Sequence, residues 1–327
     1  MITPFWTNIR YHGAVYLHSV DLWLDPRASR EWAFVSHAHS DHVAAHQEAV
    51  LSPGTARLLA ARDVMPRAAA VLPFGETRTV RGVACTLYPA GHILGSAQLL
   101  ATVNGRSLLY SGDCKLRPNL VAEAIVIPRA EVLIMETTFG HRRYAFPPQE
   151  AVIAEMRAWV AAALADGATP VLMGYSLGKG QEILAALDGC GHEILLHASL
   201  YEMTRIAEEL GATFPPYDRW APGRGAGGVV LCPPHLRKWI RGKLPPHRAA
   251  IVSGWAFDPR ARYRYGADAA FCLSDHADYQ DLLTYVERVG PRRVYTVHGY
   301  AGAFAGDLRR LGYDAHALDQ ADQLELF

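Results

Sequence analysis

The sequence predicts an α/β protein, because two stretches of the chain show two different patterns. Up to about residue 140, short apolar runs alternate with turn residues, which is typical of β-strands joined by turns. From Pro147 onward, runs with helical spacing alternate with short apolar runs, which favours a parallel sheet with crossover helices. The 327 residues suffice for one large domain or two moderate ones.

The first stretch is expected to contain strands over 33–36 and 83–89 and a hairpin with arms 96–103 and 107–111. Asn104-Gly105 lies between these arms and favours a tight hairpin turn. The second stretch predicts helices over 148–165, 179–187 and 201–210, and strands over 171–175 and 193–197. A loop rich in Pro and Gly, 215–228, is followed by a helix over 279–289, a strand over 293–297 and a helix over 303–311.

Composition excludes several classes of protein. The sequence contains no apolar run of 18 residues that could span a membrane, and its first 25 residues lack the pattern of a secretory signal. The five cysteines form no CxxC pair, so they predict neither disulfides nor a thiolate metal site. We therefore expect a soluble, cytoplasmic protein with no membrane partner.

A dense group of metal-binding side chains follows the strand expected over 33–36. The run His37-Ala38-His39-Ser40-Asp41-His42 places four ligand-type side chains in six positions. Imidazole and carboxylate together suit Zn²⁺ or Mn²⁺ and leave Fe possible. The alternative interpretation is a His-rich surface loop. We favour a metal centre with a hydrolytic function.

Further ligands are expected elsewhere, because six residues cannot complete two metal sites. His92, Asp113 and His298 each follow a strand-like run and each stand beside a glycine, which permits a tight turn beneath a metal. Taken singly, each could be an ordinary core or loop residue. Together with the preceding run, they are the expected remaining ligands.

These motifs resemble the metallo-β-lactamase superfamily, with Asp25 at the position of its first carboxylate, which lies behind the metal ligands. The resemblance implies a four-layered αββα fold and two divalent metal ions. It also implies a division of the ligands, with His37, His39 and His92 on one ion, Asp41, His42 and His298 on the other, and Asp113 bridging them.

Three later motifs resemble the β-CASP nucleases of that superfamily: Glu136-Thr137-Thr138-Phe139-Gly140, Ser274-Asp275-His276-Ala277-Asp278-Tyr279 and Val297-His298-Gly299. The alternating stretch between the first two resembles that family's inserted α/β domain. The resemblance implies a metallo-β-lactamase domain over 1–140, an inserted domain over 141–255, and a return segment with a C-terminal tail over 256–327.

The same resemblance implies a mechanism for phosphodiester hydrolysis. A hydroxide activated by two metal ions would attack phosphorus, with Asp41 among the catalytic residues. His276 would act as general acid, and Glu136 would orient it or hold it protonated. Asp275 and Asp278 are expected to be structural, helping to cap the helix over 279–289.

Substrate contacts are expected from two turns of the inserted domain. The candidates are Ser176, Gly178 and Lys179 after one strand, and Ser253 and Gly254 after another, where backbone N–H groups could face an anion. Simple strand-to-helix connectivity is the alternative. The segment 232–265 carries eight basic residues against one acidic, which suits a phosphate-tracking groove, with an ordinary solvated face as the alternative.

The expected substrate is DNA, either single-stranded or with free ends. His298 by itself favours the RNA-acting branches of the family, whereas the short chain and the phrases 252–255 and 273–278 resemble bacterial ligase-associated DNA exonucleases. We therefore expect an exonuclease of DNA repair, associated with DNA ligase and helicase by family resemblance. An RNA-processing β-CASP ribonuclease and a small-molecule metallo-hydrolase are the alternatives.

The C-terminal residues resemble a short peptide that docks on bacterial sliding clamps. Leu324, Leu326 and Phe327 could fill an apolar pocket while Gln323 bonds its rim. A last strand packed on the core, or a frayed end, is the alternative. The sliding clamp is thus a candidate partner.

Overall fold

The computed structural model describes residues 6, 8–238, 242–244 and 246–318. Contacts divide the chain into two compact units. The first contains the residues up to Pro118, then Ala122–Ala145, and the residues from His276 onward; the second contains Asn119–Val121 and Phe146–Asp275. Within the described ranges, no helix has both the length and the apolar character that a bilayer span requires.

Sheet A of the first unit has six strands in sequence order: Ile9–Tyr11 (β1), Val15–Leu17 (β2), Leu22–Leu24 (β3), Trp32–Phe34 (β4), Glu48–Leu51 (β5) and Ala68–Val71 (β6). Strands β1 to β3 pair antiparallel, and β3 to β6 pair parallel. The carboxyl ends of β3 and β4 therefore lie at the same edge of this sheet.

Sheet B of the first unit has seven strands: Thr77–Val80 (β7), Val83–Pro89 (β8), Ala97–Val103 (β9), Arg106–Tyr110 (β10), Val132–Glu136 (β11), Arg293–Val297 (β18) and Ala315–Ala317 (β19). Their order is β19-β18-β11-β10-β9-β8-β7. Strands β10, β11 and β18 pair parallel, and β9 is antiparallel to both β10 and β8. Strands β8, β10, β11 and β18 therefore run in one direction.

The two sheets share one apolar interior. Leu24 and Phe34 of sheet A pack in the same buried cluster as Leu87 and Leu108 of sheet B. The other face of sheet B packs against the helices Tyr279–Val289 (α6) and Ala301–Arg310 (α7), and the helix Pro53–Ala61 (α1) contacts β6. This is the four-layered αββα arrangement that the sequence predicted.

Sheet C belongs to the second unit, and all its pairings are parallel. Its strands are Thr169–Met173 (β12), Ile194–Leu196 (β13), Asp218–Arg219 (β14), Val229–Cys232 (β15), His247–Val252 (β16) and Ala269–Phe271 (β17), in the order β14-β13-β15-β12-β16-β17. The helices Gln149–Ala165 (α2), Lys179–Ala186 (α3) and Ala198–Glu209 (α4) cover one face through buried apolar residues, and Ala261–Arg264 (α5) is a short helix. The predicted alternation of helices and parallel strands is thus confirmed.

The predicted elements agree with the observed ones, with shifts at their ends. The helix expected over 201–210 begins earlier because His197 caps it, its Nδ1 accepting from the Ser199 backbone N–H. The return to the first unit comes at His276, later than the boundary expected at 255/256, because β17 pairs with β16. The domain boundaries themselves stay a prediction.

Candidate active site

The residues expected to bind metal lie where strands end. Asp25 follows β3 and His37 follows β4, at the same edge of sheet A. On sheet B, the residues that follow or end the four strands running in one direction are His92, Asp113, Glu136 and His298. The parallel pairing of these strands explains why residues far apart in the sequence meet in one place.

Three of the expected ligands form a close group of imidazoles. His37 Nε2 lies 3.0 Å from His39 Nδ1, which lies 3.1 Å from His92 Nε2. A tetrahedral zinc ion with bonds of about 2.0 to 2.1 Å would separate its ligand atoms by roughly 3.3 Å. The chemistry and spacing of these nitrogens therefore fit one such ion, and their assignment to the first metal stays a prediction.

Asp113 faces both halves of the expected centre. Its Oδ2 lies 3.3 Å from His42 Nε2, 3.6 Å from His37 Nε2 and 3.8 Å from His92 Nε2. Asp113 Oδ2 therefore faces histidines expected on each of the two ions, which is the position expected of a bridging ligand.

Two expected ligands of the second ion lie further out. Asp41 Oδ2 is 3.8 Å from His42 Nε2, and the His298 ring centroid is 6.2 Å from that of His42. Within the described part of the chain, neither belongs to a group of three such side chains whose ligand atoms all lie within 4.8 Å. Their assignment as ligands stays a prediction.

Electrostatics favour a bound cation. Burial, together with the neighbouring His42 and His39, lowers the pKa of His37 well below its ordinary value, so that imidazole is neutral. Burial opposes the charge on Asp113, but His42 and the other neighbouring histidines together outweigh it and hold the pKa of that carboxyl well below its usual range. Burial likewise opposes the charge on His42, whose pKa is nonetheless raised well above its ordinary value by Asp113 and Asp25. A metal ion would supply the positive charge that a proton on His42 supplies here.

Asp25 is buried and holds the first ligand turn in place. Its Oδ1 accepts the Ser36 backbone N–H at 2.7 Å, and its Oδ2 accepts Ser36 Oγ at 2.6 Å and Tyr110 Oη at 3.0 Å. Its Oδ2 also lies 3.0 Å from His42 Nδ1, which directs the opposite ring nitrogen toward Asp113.

His298 has a left-handed backbone with φ of 63°, which is uncommon for a residue with a side chain. Thr137 Oγ1 donates to the His298 carbonyl at 2.6 Å. The next residue, Gly299, is packed so closely that a Cβ there would lie 2.4 Å from the Thr137 carbonyl oxygen. Sheet B thus holds His298 through Thr137.

Three residues that contact this site had no predicted role: Ser36, Tyr110 and Thr137, the last of which lies in a motif identified from the sequence. Ser36 stands next to His37, so its position was a usable signal. Tyr110 lies 85 residues from the carboxylate it contacts, and no local pattern marks that contact.

His276 and Glu136, the residues expected to act as acid and as its partner, are in contact. His276 Nδ1 lies 3.0 and 3.1 Å from the two carboxylate oxygens of buried Glu136, which also accepts the Cys114 backbone N–H at 2.7 Å. The His276 ring centroid is 4.6 Å from that of His92, so the pair borders the metal ligands. Asp113, Glu136 and His276 also form a group that could hold a metal, which gives His276 a second possible role.

The expected substrate residues of the second unit make contacts within the protein. Ser176 Oγ lies 2.9 Å from Ser199 Oγ, Gly178 N–H donates to Gln181 at 2.8 Å, and Ser253 Oγ accepts the Trp255 N–H at 3.3 Å beside buried Gly254. Their role with substrate stays a prediction.

Lys179 is placed differently from what a phosphate-binding lysine requires. Its side chain is 1% exposed, and its Nζ lies 2.5 Å from Glu182 and 3.8 Å from Asp275. The Lys179 ammonium therefore pairs with protein carboxylates and is not exposed to a substrate. Asp278 caps α6 by accepting the Asp281 N–H at 3.0 Å, which confirms the capping role expected for it. The part that Asp275 was expected to take in this cap stays a prediction.

The C-terminal residues Gln323, Leu324, Leu326 and Phe327 lie outside the described residues. The sliding-clamp contact therefore stays a prediction from the sequence.

Part of the chain matches a family of metallo-hydrolases. Residues 270–318 match the family described as "Zn-dependent metallo-hydrolase RNA specificity domain". A "Probable DNA ligase" from Opitutus terrae is 47% identical over 323 residues, which is 98% of this chain and 32% of that protein.

More distant relatives act on RNA or are named for DNA repair. "Endoribonuclease YSH1" of Candida albicans is 26% identical over 291 residues, 70% of this chain and 33% of that protein. The human "DNA cross-link repair 1A protein" is 29% identical over 178 residues, 52% of this chain and 17% of that protein. The chain spans at most about a third of the length of these three relatives.

The fold also has a counterpart among solved structures. The crystal structure of a protein of unknown function from Enterococcus faecalis superposes with a TM-score of 0.59 at 14% identity, covering 89% of this chain and 79% of that one. Fold, ligand geometry and relatives together define a member of the metallo-β-lactamase superfamily. Within that superfamily the chain belongs to the β-CASP family, whose members include nucleases.

Proposed function

We propose that this protein is a metal-dependent DNA exonuclease of DNA repair. The observation that carries the proposal is the position of Asp113, whose Oδ2 faces His37 and His42 from 3.6 and 3.3 Å. Two divalent ions held there, Zn²⁺ or Mn²⁺, would neutralise charge on a phosphodiester and activate a water molecule.

His276, supported by Glu136, would supply the proton that the departing oxygen needs. Nδ1 of His276 lies 3.0 Å from a carboxylate oxygen of Glu136, so a proton on Nδ1 would be directed to that carboxylate, and the other ring nitrogen faces away from Glu136. That nitrogen can give its proton to the departing ribose oxygen, and the Glu136 carboxylate stabilises the imidazolium beforehand.

Two relatives support DNA as the substrate. A protein named as a probable DNA ligase contains a segment 47% identical to nearly the whole chain, and a second relative is named for DNA cross-link repair. RNA is the second candidate, because the matching family is described by RNA specificity and other relatives are named endoribonucleases.

Residues of the second unit are proposed to contact the nucleic-acid strand. Tyr263 is 73% exposed, and the Arg262 guanidinium lies 4.9 Å from its ring centroid, as suits base stacking beside a phosphate contact. Ser176, Gly178, Ser253 and Gly254 remain proposed phosphate contacts. DNA ligase is the proposed functional partner, since the relative named as one contains a segment like this chain.

A cytoplasmic location is part of the proposal. None of the five cysteines forms a disulfide, and Cys85, Cys114 and Cys232 are buried, as is usual in a reducing compartment.

The direct test uses the purified protein loaded with Zn²⁺ or Mn²⁺. End-labelled single-stranded DNA, duplex DNA and RNA are incubated with it beside a chromogenic lactam. The proposal expects DNA to be shortened from an end. Faster digestion of RNA would favour the second candidate, and turnover of the lactam alone would overturn both.

Replacing His276 by Ala tests the proposed acid. We expect the metal content to be retained and turnover to fall by about 10²- to 10⁴-fold, because only the proton donor is lost. His316→Ala is the matched control, since His316 also pairs with a carboxylate, Asp314 at 2.7 Å, but on the protein surface. Loss of metal from the His276 variant would instead make His276 a ligand.

A further inference from the structure

An exposed arginine is held between two phenol rings at the border of the proposed active site. Arg143 Nη2 donates to Tyr144 Oη at 2.5 Å and to Tyr300 Oη. The guanidinium carbon lies 4.6 Å from the Tyr144 ring centroid and 5.3 Å from that of Tyr300, within the range of cation–π attraction. We call these three residues the arginine clamp.

The neighbouring arginine shows what an ordinary structural ion pair looks like here. Arg142 donates from Nε and Nη2 to Asp307 at 2.9 and 3.0 Å, so its charge is compensated. The side chain of Arg143 is exposed, and it has no carboxylate partner among the described residues. Its positive charge is therefore fixed in position by the phenols without being neutralised.

The arginine clamp is tied to both ends of the proposed active site. Tyr300 N–H donates to the Thr137 carbonyl at 2.9 Å, and Thr137 Oγ1 donates to the carbonyl of His298, two residues before Tyr300. On the other side, the ring centroid of Phe139 lies 4.9 Å from that of Tyr144 and 6.0 Å from that of His276. The clamp thus borders the proposed ligand His298 and the proposed acid His276.

We propose that the arginine clamp is a subsite for a phosphate that flanks the scissile one in the substrate strand. This inference rests on the proposed nuclease function. Both guanidinium bonds to the phenols come from Nη2, so the N–H groups of Nε and Nη1 remain for an anion. The scissile phosphate itself belongs with the metal ligands, whereas a neighbouring phosphate of the same strand needs a cation beside them.

The phenols give the subsite its binding advantage. A free surface arginine loses rotamer entropy when it orders on a ligand, which weakens binding. Arg143 is already ordered by two hydrogen bonds and two ring faces, so it binds an anion with less of that loss. Lysine cannot reproduce this, because it lacks the planar guanidinium that lies on the rings.

The test measures whether Arg143 and one particular phosphate recognise each other. Metal-loaded His276→Ala protein serves as the parent, so that bound single-stranded DNA is not consumed. Its Kd is measured by fluorescence anisotropy for an oligonucleotide and for copies in which one flanking phosphate at a time is a neutral methylphosphonate. Arg143→Gln and Arg143→Lys are added to this parent.

In the parent we expect one methylphosphonate position to weaken binding about tenfold, the lower end of what a hydrogen bond to a charged group contributes. Adding Arg143→Gln should weaken binding of the unmodified strand by the same factor and abolish the effect of that position. Arg143→Lys should recover part of the affinity. The slope of log Kd against log salt should fall by about 0.7 with Arg143→Gln, since one phosphate contact to a single strand is lost.

Arg67→Gln is the matched control. Arg67 is exposed and stands before β6, at the opposite end of sheet A from His37, so it removes the same charge far from the site. Equal methylphosphonate effects with and without Arg143, or an equal loss of affinity in the Arg67 variant, would overturn the subsite. Binding is measured without cleavage, so an inactive wild-type protein would count against the nuclease proposal alone.

Discussion

Replacing Asp25 by Asn tests how the fold prepares His42 for a metal. Oδ2 of Asp25 faces three groups, Ser36 Oγ, Tyr110 Oη and His42 Nδ1, at 2.6, 3.0 and 3.0 Å. Asparagine has nearly the same shape and tolerates the left-handed φ of 46° at this position. The substitution therefore changes the chemistry of the contact with little strain.

In the variant an amide NH₂ replaces Oδ2, while Oδ1 keeps the Ser36 backbone N–H. The amide has two N–H groups for the three atoms that faced Oδ2, and His42 Nδ1 can accept one of them only if its proton moves from Nδ1 to Nε2. Nε2 is the atom that faces Asp113 from 3.3 Å, and a protonated nitrogen cannot bind a metal. We expect a loss of about 10- to 100-fold in affinity for the second ion, equivalent to about 1.4 to 2.8 kcal/mol.

The assay is a competition titration of metal-free protein with Zn²⁺ and a chromogenic chelator. The ion held by His37, His39 and His92 should be affected less than the other. Asp21→Asn is the control, because Asp21 also has a positive φ and accepts from a tyrosine, Tyr16 at 2.7 Å, but precedes β3 on the surface. Wild-type affinity for both ions in the Asp25 variant would refute this account.

Two further predictions concern stability. Lys179→Met should lower the free energy of unfolding by about 3 to 5 kcal/mol, because it leaves the buried carboxylate of Glu182 unpaired, and the double variant with Glu182→Met should recover part of it in urea titrations. Burial opposes the charge on Lys179, but Asp275 and Glu182 raise its pKa. Charged Lys179 therefore stabilises the fold fully below the ordinary lysine pKa, and this stabilisation is lost as the pH rises through the raised value. The Lys179 variant should lack this loss of stability at alkaline pH. Removing metal with a chelator should lower the thermal midpoint, and free metal at 1,000 times its Kd should restore about 4 kcal/mol. An unchanged midpoint would contradict a metal centre at His37, His39 and His92.

Sequence patterns predicted those parts of the site that are local. The run from His37 to His42 is contiguous, and His92, Asp113 and His298 each stand beside a glycine that marks a turn after a strand. The structure brings these residues together, with Asp41 and His298 further out than the rest. These candidate ligands were predictable because each carries its own local signal.

What the sequence could not predict depends on distant packing. Lys179 stands between glycines after a strand, which is typical of a phosphate-binding turn, yet its partner Asp275 comes from a remote part of the chain and the ammonium is buried. The strands β1, β2 and β3 are only three residues each, too short for a periodic pattern to distinguish them from loops. Tertiary contacts decide both cases.

The proposed metal ligand Asp113 and the proposed acid His276 are both positioned by two neighbouring strands, β10 and β11. Asp113 follows β10 and Glu136 ends β11, and these neighbouring strands pair in parallel. The residue after Asp113, Cys114, donates its backbone N–H to Glu136, and Glu136 in turn holds His276. A shift of β10 against β11 would therefore displace the proposed bridging ligand and the proposed proton donor together. This coupling explains how a site assembled from six separate strand ends can keep the distance between ligand and acid fixed.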